Sequence, residues 1–88
     1  MNRVRRKELS VIMKKLAILD GKREEIREQL SIVLEAEQEA LDNLPESLQT
    51  STQAELMQEC IDTMENVAGE LDLMDIEDLM EQLSRICG

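Results

Sequence analysis

The sequence predicts an all-α protein built as an antiparallel helical hairpin of coiled-coil type. Three observations carry that expectation. Apolar residues recur at alternating three- and four-residue spacing, which keeps them on one side of a helix. Pro45, the single proline, falls between two such runs and must interrupt them. Leu, Met, Glu, Gln and Ala are abundant while the 88 residues hold only 3 Gly, a balance that favours helix over disorder.

The first helix is expected over about residues 5–43. Leu9, Ile12, Leu16, Leu19, Arg23, Ile26, Leu30, Val33, Glu37, Ala40 and Leu44 keep a heptad phase throughout, and most of them are apolar. Asp20-Gly21 would ordinarily mark a stop. The stripe holds its phase on both sides of it, so one continuous helix is expected. Pro45 then disfavours helical geometry at Leu44 and lacks an N–H for the ladder. A connector over about residues 44–52 follows.

Thr52-Gln53-Ala54-Glu55 has the spacing of a capping box, which places the start of a second helix near residue 53. Its stripe is Met57, Cys60, Met64, Val67, Leu71 and Met74. Beyond that the phase slips to Ile76, Leu79, Leu83 and Ile86, with Gly69 and Asp75 at the transition. The second helix, to about residue 86, therefore either kinks within residues 69–75 or gives way to a short third helix opening at Asp75. Leu16, Leu19, Ile26, Leu30 and Val33 are expected to be buried against Met57, Cys60, Met64, Val67 and Leu71. The whole chain, residues 1–88, forms a single helical domain in this expectation.

No Phe, Tyr or Trp is present, so a thin aliphatic core must be completed by a partner helix. That helix comes from the same chain or from a second copy, in which case two hairpins make a four-helix bundle as a homodimer. Charge is divided along the chain. Residues 1–27 hold nine basic residues against Glu8, Asp20, Glu24 and Glu25, a net of +5, whereas residues 28–88 have a net of -15. Folding the chain about residue 48 sets Lys14 and Lys15 near Glu81, Lys22 and Arg23 near Asp72 and Asp75, and Arg27 near Glu70. Arg3, Arg5, Arg6 and Lys7 overhang one end, and acids near the turn remain unmatched at the other.

Chemistry finds little foothold. The chain has no His to act as a general base and no Gly-rich phosphate loop. Cys60 and Cys87 lack metal-ligand spacing, and Asp72 to Asp78 lacks the central Gly of a calcium loop. No catalytic residue, metal site or cofactor is expected, and an enzyme is not. The two cysteines fit ordinary buried or terminal thiols of a reduced compartment. No apolar run approaches the ~20 residues of a membrane span, and the basic start leads into an amphipathic stretch rather than a signal-peptide core. The expected location is cytoplasmic, with no membrane partner. An acidic body of this kind disfavours direct nucleic-acid binding and favours a protein partner with a basic surface.

Glu37-Gln38-Glu39-Ala40-Leu41-Asp42-Asn43-Leu44-Pro45-Glu46-Ser47-Leu48-Gln49, Ser51 and the run into Met57-Gln58-Glu59-Cys60-Ile61-Asp62 resemble a group of small helical proteins from phages and prophages of gut Firmicutes. The resemblance covers roughly residues 24–68 and is most specific at the turn. Downstream, Gly69 and residues 71–76 depart from the group's regular acidic repeat. The resemblance implies a mobile-element origin, a helical hairpin and, for a phage-encoded chain, action in the host cytoplasm. It assigns no catalytic residue.

The functional expectation is a non-enzymatic regulator or inhibitor, of anti-CRISPR or other anti-defence type, whose acids occupy ground meant for phosphate on a host nucleic-acid-binding protein. Glu35, Glu39, Asp42, Glu46, Glu55, Glu59 and Asp62 are the candidate partner-binding residues. A surface lined by Met57, Met64, Met74 and Met80, or the Arg3–Lys7 arm, are other candidate sites. The alternative function is a self-associating structural or assembly bundle.

Overall fold

The computed structural model describes residues 1–87 and is helical almost throughout. Helix α1 runs Arg3–Asp42, a 3-10 turn follows at Glu46–Leu48, α2 runs Thr52–Leu73 and α3 runs Ile76–Cys87. With 40 residues, α1 is roughly 60 Å long and passes through Asp20-Gly21 without interruption. Its first turn is capped by Asn2, whose side-chain oxygen accepts the Arg5 N–H at 2.8 Å.

The chain is all-α, an antiparallel helical hairpin, and α2 gives way to α3 at Met74-Asp75. It divides into two compact units, one of residues 26–73 and one joining residues 1–25 to the chain from Met74 onward. In the first, the second half of α1 turns back through Pro45 into α2. Pro45 adopts φ -55° and ψ 143°, extended geometry that ends the helical path. The Gln49 side-chain amide donates to the Leu44 carbonyl at 3.1 Å, closing the connector just beyond the end of α1.

Ser51, rather than Thr52, caps α2. Its hydroxyl accepts the Ala54 N–H at 3.3 Å, and its carbonyl accepts the Glu55 N–H at 3.1 Å. The box spacing on Thr52 and Glu55 thus lies one residue late. In the other unit, Asp75 opens α3 as its sequence suggests, accepting the Asp78 N–H at 3.0 Å. Of the two expected forms of this region the structure has the third helix.

Ala54, Ile61, Ala68 and Ile76 are the buried residues among those described. Half-buried positions complete a seam on each helix. On α2 it reads Ala54, Met57, Ile61, Met64, Ala68, Leu71, and on α3 Ile76, Met80, Leu83, Cys87. On α1 it reads Leu9, Met13, Leu16, Asp20, Arg23, Arg27, Leu30, Leu34, Glu37, Leu41. All three follow three-four spacing.

The heptad is therefore real, but its phase differs from the expected one. Leu16 and Leu30 are half-buried as seam residues, whereas Leu19, Ile26 and Val33 are exposed, as are Cys60 and Val67 on α2. The apolar arc of α1 covers three adjacent rows, more than one neighbouring helix can cover. The seam takes the Leu9–Leu16–Leu30 row and the Met13–Leu34–Leu41 row, about 50° round from the expected centre. On α2 two of the three buried positions are alanine, small enough for close approach of the helices. Three of the four charged members of the α1 seam, Asp20, Arg23 and Arg27, are paired with opposite charges. Arg23 Nε meets Asp20 Oδ1 at 2.9 Å, with both side chains 15% exposed.

Candidate protein-interaction surfaces

Two surfaces arise from this seam, one acidic and one apolar. The acidic one belongs to the unit of residues 26–73, which holds twelve acids and one cation, Arg27. Arg27 is engaged with Asp72, Nε to Oδ1 3.1 Å, and its guanidinium also meets the Ser31 hydroxyl. Within this unit the other eleven acids therefore have no cation to pair with.

All seven candidate residues, Glu35, Glu39, Asp42, Glu46, Glu55, Glu59 and Asp62, lie in this unit and are exposed. They surround the turn end of the hairpin rather than forming one flat face. Asp42 and Glu55 border one groove together with Gln38, Gln49 and Gln58. Glu59 borders the opposite groove, with Glu37, Cys60 and Met64. Glu46 sits in the 3-10 turn between them. Glutamines hold two of the carboxylates in place: Gln38 donates to Asp42 at 3.0 Å and Gln58 to Asp62 at 2.9 Å. Such amide contacts orient a carboxylate without neutralising it, so the negative potential at this end is left intact.

The charge pairing expected from folding the chain is realised in part. Arg27 does reach the second arm, on Asp72 rather than Glu70. Glu81 pairs with Arg85 four residues along α3, at 3.1 Å, and Lys22 with Glu25 on α1, at 3.3 Å. Local pairs on one helix surface form without ordering a second element, which is why they displace the longer-range pairings.

The apolar surface was not singled out by sequence. Ile12, Leu19, Ile26 and Val33 are 46%, 49%, 51% and 56% exposed, at seven-residue intervals along α1. This row adjoins the seam on one side, while Ser10, Ala17, Glu24, Ser31 and Gln38 adjoin it on the other. In the unit of residues 26–73, Cys60 and Val67 of α2 are exposed beside the seam as well. In the other unit, Leu79 and Ile86 of α3 are exposed, and Ile86 shares a groove with Leu9, Ile12 and Arg5. The signal was present in the heptad. Rows that suit a core but exceed what one neighbour can cover become surface.

Met57, Met64 and Met80 are half-buried seam members, and Met74 is exposed at the break, so the methionines serve more as core than as an open groove. Cys60 is an exposed free thiol, not a buried one, and Cys87 is a half-buried free thiol. Among the described residues there is no cluster of His, Cys, Asp and Glu able to hold a metal ion. Among those residues, too, no helix is long and apolar enough to cross a membrane. No protein-family model, no curated protein and no solved structure matches the chain.

Proposed function

We propose that the chain is a non-enzymatic protein-interaction module of phage or mobile-element type. In this reading it regulates or inhibits a host nucleic-acid-binding protein, of the kind defence systems employ, by docking the acidic end of the hairpin on its basic surface. The observation that supports it best is the net charge of -11 on residues 26–73, with Arg27 as the sole cation. Uncompensated like charge disfavours a small fold, and nothing inside this unit relieves it. A basic surface evolved for phosphate would relieve it, and would be blocked in doing so. The resemblance of the Glu37–Gln49 turn to phage proteins supports the mobile-element origin.

The test uses the immobilised full chain against a bacterial host lysate at low salt. The wild-type protein should retain basic nucleic-acid-binding proteins that elute as salt rises. A Glu39→Gln/Asp42→Asn/Glu46→Gln variant should release them. Equal retention by the folded variant would rule out the acidic end as the docking surface.

A further inference from the structure

The apolar row of α1 supports a second inference. Ile12, Leu19, Ile26 and Val33 form an exposed apolar strip over roughly 30 Å of α1.

Charge on α1 selects the occupant. Residues 1–22 hold seven cations and two acids, a net of +5. Residues 28–42 hold five acids and no cation, a net of -5. Arg3, Arg5, Arg6 and Lys7 are exposed at one end of the helix, and Glu35, Glu39 and Asp42 at the other. A helix with this distribution is complementary to itself when reversed, and repels itself when parallel.

We propose that a second copy of this chain covers the row, α1 packing antiparallel on α1 about a twofold axis near Lys22 and Arg23. Leu19 of each copy then lies opposite Ile26 of the other, and Ile12 opposite Val33. Arg5 and Arg6 come beside Glu39 of the second copy. The interface is isologous and closes at two chains. Its apolar row is separate from the acidic docking residues, although Glu39 borders both, so Ile26→Glu tests this interface without touching the acidic end.

Sedimentation equilibrium of the full chain at about 100 µM should give a mass of about 20 kDa, twice the 10.1 kDa of one copy. Ile26→Glu should weaken association at least about 100-fold with helix content kept, because Ile26 is already exposed in the single chain. Ala17→Glu, on the other side of α1, should leave association unchanged. A second measurement avoids burying a charge. In a Cys60→Ser/Cys87→Ser background, Leu19→Cys chains mixed with Ile26→Cys chains should oxidise to mixed dimers, while neither forms a disulfide alone. A single-chain mass throughout the concentration range overturns the proposal. So does preferential Leu19→Cys self-linking, which would mean parallel packing.

Discussion

Arg27 Nε lies 3.1 and 3.3 Å from the two carboxylate oxygens of Asp72, 45 residues further along the chain. The pair joins the middle of α1 to the last turn of α2 and marks the register of the hairpin. The centre of that register lies between residues 49 and 50, close to the fold-back expected at residue 48. Asp72 is half exposed and Arg27 a third exposed, so water and salt compete for both. A double-mutant cycle with Arg27→Gln and Asp72→Asn should give a coupling of about 0–1 kcal/mol in urea denaturation. A coupling above about 3 kcal/mol would mean a fully desolvated pair.

Ile61 is 1% exposed and is the largest fully buried side chain. Ile61→Ala should cost about 2–5 kcal/mol, since its site is closed on all sides. Ile32, 67% exposed on the outer side of α1, should tolerate alanine within about 0.5 kcal/mol. Urea melts at one fixed protein concentration separate the two. Equal losses would show that the α2 seam is not where the structure places it.

The start of α2 gives a local test. Ser51→Ala removes the acceptor for the Ala54 N–H and should destabilise the fold by about 1 kcal/mol. Thr52→Ala should have a smaller effect, because no cap hydrogen bond depends on the Thr52 side chain. The reverse order in thermal melts would restore the capping box to Thr52.

Gly21 is a cost left in the middle of α1. A Cβ added there meets nothing within 4 Å, and the backbone is helical. Gly21→Ala should therefore stabilise the chain by about 1 kcal/mol, through helix propensity and a less free unfolded state. A destabilised variant would show that something outside the single chain needs the missing side chain.

Much of the fold is legible in the sequence. The heptad, Pro45 and Asp75 locate the helices, the turn and the third-helix start within a few residues. The phase of the seam was not legible. Both the Ile12–Leu19–Ile26–Val33 row and the Met13–Leu34–Leu41 row adjoin the leucine row, and periodicity alone selects the more apolar. The structure selects the other, because Ala54 and Ala68 admit a close helix and the Asp20–Arg23 and Arg27–Asp72 pairs make the polar positions tolerable. The acidic residues were legible by position, since composition alone leaves them without cations. Their arrangement around the hairpin end depended on the seam phase and could not be read first.

The most direct test of the interaction reading is the salt dependence of binding to a protein captured by the wild-type chain. Calorimetry across about 50 to 300 mM salt should show affinity falling at least about tenfold, because exposed charge pairs are screened over this range. The Glu39→Gln/Asp42→Asn/Glu46→Gln variant should bind more weakly at low salt and lose most of that slope. Affinity that is flat with salt, and unchanged by the triple substitution, would contradict an acidic docking surface.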